Sequence, residues 1–164
     1  DLCIADPEMK LYQYTAIDEY TRIRFLYGYE EQSTYSSADF VKRLVKWCKR
    51  RGITVKCIQT DNGFEFTNRF SPSKRDKKTL FENTLSQLGI EHKLIRPYTP
   101  RHNGKVERSH REDHNKFYSC HRFYSCDDLN VQLAARLSRT NNRPMRPLKW
   151  FSPIEFLNNS VQYD

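Results

Sequence analysis

Aromatic and β-branched residues dominate residues 11–29, LYQYTAIDEYTRIRFLYGY, near the start of the chain. Such a composition is typical of β-strands. The pattern predicts two strands, over residues 11–17 and 22–29, joined by a turn at Asp18 and Glu19. We therefore expect a β-hairpin in this part of the fold.

Apolar residues recur at helical spacing in the segment that follows. Ser36 or Ser37 is a suitable N-terminal cap, Asp39 would lie in the first turn, and Gly52 would end the helix. The apolar positions that recur at helical spacing are Phe40, Val41, Leu44, Val45, Trp47 and Cys48.

Short apolar runs and helical segments alternate along the rest of the chain. Residues 53–60, ITVKCIQT, show little polar alternation, which is typical of a strand covered on both faces. The further elements predicted are a helix over 80–89, a strand over 90–96, a helix from Lys105 to about Cys120, a helix capped by Ser125 and a short helix after Pro153. This order predicts an α/β fold with a mixed sheet flanked by helices. The Pro-rich tail is expected to pack Trp150 and Phe151 on the core.

Basic residues dominate the charge of the chain. Lys and Arg number 28 against 20 Asp and Glu, and the formal net charge is +8. A basic balance of this size favours a polyanionic partner, nucleic acid first and a membrane surface second. Residues 69–79, RFSPSKRDKKT, are mostly basic and contain a Ser-Pro pair, so we expect an exposed basic loop there.

The five cysteines include no CxxC pair, and their number is odd. Buried free thiols in a reducing cytoplasm are the expected state, so we predict a cytoplasmic protein. No segment approaches the length of a membrane span. The chain opens on DLCIADPEMK without a signal pattern, and we expect it to be a fragment of a longer protein.

Two carboxylates could form a metal site. Asp61 ends the strand in IQTDNGFEF, and Glu107 lies near the start of a predicted helix. Metal-dependent phosphoryl transfer needs hard oxygen ligands that converge from different elements. Locally, however, an Asp-Asn-Gly turn is more often only a turn, and an early helical Glu usually complements the helix dipole. Glu65 gains no comparable support and is interpreted as a loop residue.

The surroundings of Glu107 favour the functional interpretation. Cations would neutralise phosphates, Tyr98 supplies a flat ring, and the Gly104 backbone permits close approach of a sugar-phosphate chain. A loop that binds nothing would not need a carboxylate in such a positive field. The basic and histidine side chains concerned are Lys93, Arg96, Arg101, Lys105, Arg108, Arg111, His92, His102 and His110.

Four motifs carry a resemblance to a known family: AIDEYTR, TDNG, RPYTPRHNGKVERSHR and NNRPMRPLKWFSP. Together they resemble the catalytic core of retroviral-type integrases and insertion-sequence transposases, the D,D,E superfamily with a ribonuclease H-like fold. The resemblance covers nearly the whole chain. TDNG alone is weak, whereas the long basic motif followed by the Pro-rich tail is specific.

The resemblance implies roles for individual residues. Asp61 would be the second catalytic carboxylate and Glu107 the third, and both would bind Mg²⁺ or Mn²⁺, as two ions. The first aspartate would lie upstream of residue 1 or be Asp1, whereas Asp18 matches a turn. Between Asp61 and Glu107 lie 45 residues, more than is usual in the family, and an insertion at 69–79 would account for the excess. The side chains implied to position DNA are Asn62, Tyr98, Arg101, His102, Asn103, Lys105, Arg108 and Arg111.

The implied activity is metal-dependent DNA cleavage and strand transfer by transesterification, carried out by an integrase-type catalytic core over residues 1–164. The implied partners are the element ends, target DNA and further copies of the chain, with no membrane. If part of the first strand is missing, the fragment alone would be inactive. The alternatives are a catalytically incomplete DNA-binding fragment and a ribonuclease H-type nuclease.

Overall fold

A computed structural model describes residues 9–95 and 104–161. The described elements are β1 (Tyr12–Ile17), β2 (Arg24–Tyr29), α1 (Thr34–Lys49), β3 (Cys57–Thr60), α2 (Leu80–Gln87), β4 (Glu91–Leu94), α3 (Gly104–Lys116), α4 (Cys126–Asn141) and α5 (Pro153–Val161), with short 3₁₀ helices at Tyr118–Cys120 and Arg146–Leu148. The chain divides into two compact units. The first comprises the described residues up to Glu30 and from Lys105 onward, and the second lies between Glu31 and Gly104.

The predicted hairpin is confirmed in the first unit. Strands β1 and β2 pair antiparallel, from Tyr12 opposite Tyr29 to Ile17 opposite Arg24. The turn is closed by Asp18, whose Oδ2 accepts hydrogen bonds from the backbone N–H of Thr21 at 2.7 Å and from the Thr21 hydroxyl at 2.8 Å. Asp18 is therefore occupied within its own turn.

Helix α4 packs on β2 at a point where only glycine fits. A Cβ atom on Gly28 would lie 2.5 Å from Leu129 Cδ2, a contact that real structures essentially never contain. The Asn130 side chain uses the close approach, because its Oδ1 accepts from Gly28 N at 2.8 Å and its Nδ2 donates to Gly28 O at 3.1 Å. Leu129, Leu133 and Phe123 fill the core beside this contact.

The second unit has its own core and a parallel strand pair. Strands β3 and β4 pair from Cys57 opposite Glu91 to Thr60 opposite Leu94. Helices α1 and α2 contact each other. The buried cluster consists of Val41, Phe81, Leu85 and Ile90, with Val45, Val55, Ile58 and Phe66 packed against it.

Several predicted details of the second unit are wrong. The cap of α1 is Ser33, whose side chain accepts from Ser36 N, so the helix begins earlier than expected and Asp39 lies beyond its first turn. Strand β3 is short, and Cys57 and Gln59 are exposed, so the strand is not covered on both faces.

The C-terminal tail also differs from the prediction. Trp150 is 69% exposed and Phe151 is 42% exposed, while Leu148 is buried. Lys149 and Trp150 both have positive φ angles, of 55° and 68°. This left-handed turn directs Leu148, and not the aromatic pair, towards the core. The cap at Ser125 and the helix after Ser152 are confirmed.

The described cysteines are all free thiols, but the prediction that they are buried is wrong for two of them. Cys48 is buried and Cys126 half-buried, whereas Cys57 and Cys120 are exposed. No helix in the described ranges has the length and apolar character needed to cross a membrane.

Candidate active site

Asp61 follows β3 directly and is exposed. The strand pairing continues one step beyond the ladder, because Ile95 N donates to Thr60 O at 3.0 Å. Asp61 Oδ1 accepts a hydrogen bond from Gly63 N at 3.0 Å, the geometry of an Asx turn. The turn therefore fixes the carboxylate at the strand end and leaves Oδ2 without a hydrogen-bond partner among the described residues.

Asn62 is turned inward beside this carboxylate. Its Nδ2 donates to Ile95 O at 3.1 Å, and its Oδ1 is buried without a hydrogen-bond partner in the described part of the chain. The side chain thus ties the Asp61 turn to the end of β4. This geometry favours a positioning role, and a DNA contact by Asn62 stays a prediction.

Glu65, interpreted from the sequence as a loop residue, is buried beside the Asp61 turn. It is only 6% exposed, although it lies in a loop. Its Oε1 accepts from Gln32 Nε2 at 2.7 Å, and its backbone carbonyl accepts from the Ser37 hydroxyl at 2.9 Å. Its Oε2 has no partner among the described residues and would lie 2.5 Å from a Cβ on Gly63. Glu65 therefore packs against Gly63 of the turn and links it to Ser37 of α1.

Strand β4 adds a histidine next to the Asp61 turn. His92 Nε2 lies 2.8 Å from Thr60 Oγ1, and the His92 ring contacts Phe81 edge-on. Burial lowers the pKa of His92, and the nearby Glu82 carboxylate opposes that shift only in part. A neutral imidazole at this position hydrogen-bonds the residue that precedes Asp61.

Glu107 lies in the first turn of α3 and is exposed, as the sequence predicts for the start of that helix. No hydrogen bond or ion pair from the described residues reaches its carboxylate. The helix ends at Lys116, and a 3₁₀ turn follows at Tyr118–Cys120, so the continuous helix predicted to about Cys120 is too long.

The opposite side of α3 is fixed by a buried ion pair. Asp113 is 0% exposed and pairs with Arg24 of β2 and with Arg136 of α4, the latter at 3.2 Å. Gln13 of β1 donates to the same carboxylate at 3.3 Å, and Tyr118 donates to Gln13. Burial and the Asp113 charge raise the pKa of Tyr118, so its hydroxyl stays protonated as a donor. This network holds α3, and with it Glu107, on the first unit.

The predicted DNA contacts fall into three groups. Arg108 and Arg111 on α3 are exposed, and no carboxylate in the described ranges pairs with them. Lys105 is paired with Glu19 across the first unit, at 3.4 Å to Oε2 and 3.3 Å to the backbone carbonyl. The predicted residues Tyr98, Arg101, His102 and Asn103 lie outside the described residues.

The carboxylates suit a hard divalent cation. Asp61 and Glu107 are both exposed, and among the described residues the Gly63 N–H is the one hydrogen-bond partner of their two carboxylates. Oxygen donors with free coordinating positions are what Mg²⁺ and Mn²⁺ require. The two residues belong to different units, so their shared metal site stays a prediction. Within residues 9–95 and 104–161, no group of three or more His, Cys, Asp or Glu side chains is arranged to hold a metal ion.

Two family models together match most of the chain. A sequence model described as integrase core domain matches residues 1–100, and a second model with the same description matches residues 88–153. The chain belongs to the integrase core domain family. This integrase core domain is 32% identical to "Putative integrase ORF3" of Spiroplasma virus SpV1-C74 over 156 residues, 93% of the chain and 43% of that protein.

Further relatives extend the comparison. The retrovirus-related Pol polyprotein from transposon RE2 of Arabidopsis thaliana is 32% identical over 96 residues, 58% of this chain and 6% of the polyprotein. The integrase core domain thus spans less than half the length of each of these two relatives.

Solved structures confirm the predicted ribonuclease H-like α/β fold. The catalytic core domain of BIV integrase superposes with a TM-score of 0.63 at 19% identity, over 95% of this chain and 96% of that one. A chain of the simian T-cell lymphotropic virus intasome in complex with PP2A regulatory subunit B56 gamma gives a TM-score of 0.52 at 15% identity, over 82% of this chain and 46% of that one. Identities this low support the fold alone.

Proposed function

We propose that this chain is the catalytic core of a transposase or integrase that cleaves and joins DNA by transesterification. The observation that carries the proposal is the Asp61 carboxylate, fixed by an Asx turn at the end of β3 and otherwise without a partner in the described residues, in a chain of the integrase core domain family. Asp61 would be the second carboxylate of the triad and Glu107 the third, with the first supplied by Asp1 or by an aspartate upstream of it.

Asp61 and Glu107 would hold Mg²⁺ or Mn²⁺, as two ions. When bound, the metal supplies Lewis acidity and lowers the pKa of a coordinated water. Gly63 N–H and Glu65 keep the Asp61 carboxylate in one orientation, and the Asp113 network does the same for the helix that carries Glu107. This preorganisation reduces the rearrangement needed when a phosphodiester binds.

DNA would be held by the basic side chains near Glu107. Arg108 and Arg111 are exposed on α3 and are available to phosphate oxygens. Lys105 would have to leave Glu19, a surface ion pair whose loss costs about 0–1 kcal/mol. We further propose that the complete protein acts on element ends and target DNA as a homo-oligomer in a bacterial-type cytoplasm.

Replacing Glu107 tests the proposal. In the full-length protein, Glu107→Gln should lower Mn²⁺-dependent strand transfer by at least about two orders of magnitude, because one metal-binding carboxylate is lost. Duplex DNA binding should persist, since the substitution removes a negative charge from a basic surface. Strand transfer is measured with a labelled donor oligonucleotide and a plasmid target.

Glu112→Gln on the same helix is the matched control. Glu112 forms surface ion pairs with Lys116 and Arg143, so its loss should leave strand transfer close to wild type. Full activity of Glu107→Gln would refute the catalytic role of Glu107. Wild-type cleavage of RNA–DNA hybrids without strand transfer would instead indicate a ribonuclease H-type nuclease.

A further inference from the structure

The segment that precedes α2 concentrates positive charge. Residues 69–78 contain five Lys or Arg and one Asp, a net charge of +4. All five cationic side chains are exposed, and no carboxylate in the described ranges lies within ion-pairing distance of them. Such a cluster repels itself unless an anion is bound. The five cations are Arg69, Lys74, Arg75, Lys77 and Lys78.

Hydrogen bonds hold this segment in a closed loop. Asn68 Nδ2 donates to Lys77 O at 2.8 Å, which joins the two ends of the loop. Thr79 Oγ1 donates to Phe66 O at 3.0 Å just outside this closure. Three successive backbone turns inside the loop have donor–acceptor distances of 2.9, 3.3 and 2.9 Å. A preformed loop loses less conformational entropy when it binds a partner.

A cleft of about 440 Å³ lies at the base of the loop, within the second unit. Arg69 and Lys78 line it from the two ends of the loop. Two cations match the anionic oxygens of a phosphodiester. Ser86 also lines the cleft, but its hydroxyl donates to Glu82 O at 3.0 Å, and Leu85 and Ile90 beneath it are buried.

Among the described residues that line the cleft, two cations face one carboxylate. Glu82 lines the cleft, but its Oε2 is engaged by Thr79 N at 2.7 Å in the capping box of α2. His92 also lines the cleft, and its Nε2 contacts the hydroxyl of Thr60, the residue before Asp61. The cleft therefore adjoins the strand pair that presents Asp61.

We propose that the loop of residues 69–78 and the cleft at its base form a second DNA-contact surface, which binds the sugar-phosphate backbone of duplex DNA flanking the reacting phosphate. The contacts are to phosphate and sugar, so this surface contributes affinity and orientation without sequence preference. The choice of DNA as the polyanion rests on the proposed function, whereas the location and the charge of the surface are observed independently of it.

The salt dependence of DNA binding tests this surface. The full-length protein is titrated with unrelated duplex oligonucleotides by fluorescence anisotropy, in EDTA, over a range of KCl concentrations. Arg69→Ala/Lys78→Ala and Lys74→Ala/Arg75→Ala should each weaken binding equally for all sequences. Each should also reduce the magnitude of the slope of log K against log salt by about two, because roughly one counterion is released per phosphate contact.

Arg139→Ala/Arg146→Ala is the matched control, since it removes two exposed cations that have no ion pair among the described residues. The proposal would be overturned if the loop variants had the same slope of log K against log salt as the control variant. It would also be overturned if the loop variants lost binding to anionic lipid vesicles while their DNA binding was unchanged. The Lys74/Arg75 pair lies outside the cleft and keeps the test valid if the cleft variant does not fold.

Failure of this surface and failure of the proposed function are distinguishable. If the loop variants change the salt slope but Glu107→Gln retains strand transfer, the DNA-contact surface is supported and the catalytic assignment of Glu107 is refuted. If the loop variants leave the salt slope unchanged but Glu107→Gln is inactive, the catalytic assignment is supported and the DNA-contact surface is refuted.

Discussion

Around Asp61, individual residues do more than form a turn. Asn62 and Gly63 have the identities expected of a tight turn, and the observed hydrogen bonds explain both. Glu65, by contrast, is buried, and its side chain packs against Gly63 of the turn. A carboxylate beneath a glycine turn fixes the backbone that carries Asp61, so a residue without direct contact to DNA or metal would still affect catalysis.

Glu65 is expected to act through the position of Asp61. Glu65→Ala removes the bond to Gln32 and should lower the free energy of unfolding by about 1–2 kcal/mol in urea titrations. It should also lower kcat for strand transfer, with little change in KM for DNA. Glu65→Gln keeps the shape and should recover most of both losses. An alanine variant with wild-type stability and kcat would show that Glu65 does not support the turn.

The single elements show which features local sequence can predict. The cap of α4 is confirmed because Ser125 is the one suitable residue directly before the first helical turn. Before α1 there are three serines, and tertiary contacts decide among them. Ser37 is buried and donates to Glu65 O, so it belongs inside the helix, and Ser33 becomes the cap.

The local sequence pattern also could not predict which individual side chains are buried. Trp150 and Phe151 are large and apolar, yet the left-handed turn at Lys149 leaves them exposed. Glu65 shows the opposite case, since nothing near it in the sequence predicts a buried carboxylate. In both cases the deciding contacts join residues that are distant along the chain or depend on an unusual backbone angle.

Helix α3 depends on the buried Asp113 for its attachment. Asp113→Ala would leave the Arg24 guanidinium buried without its counter-ion, so the free energy of unfolding should fall by about 3–5 kcal/mol. Glu112→Gln, on the same helix, breaks only surface ion pairs and should cost about 0–1 kcal/mol. Urea denaturation of both variants measures the difference, and equal losses would contradict the anchoring role.

For the whole molecule, the motifs were more informative than the element pattern. Element order alone indicated an α/β fold, whereas the long basic motif and the Pro-rich tail indicated the integrase family, which the family comparison confirms. The pairing of Asp61 with Glu107 stays a prediction, because they lie in separate units and their common function requires a third carboxylate.

Strand transfer by Asp61→Asn in the full-length protein tests catalysis at Asp61 most directly. Asp127→Asn, at an exposed position of α4, is the matched control. The Asp61→Asn substitution keeps an oxygen that can accept from Gly63 N, so the turn should form while the charge that binds the cation is lost. We expect Mn²⁺-dependent strand transfer to fall by at least about two orders of magnitude in Asp61→Asn and to stay near wild type in Asp127→Asn. Wild-type strand transfer by Asp61→Asn would contradict this expectation.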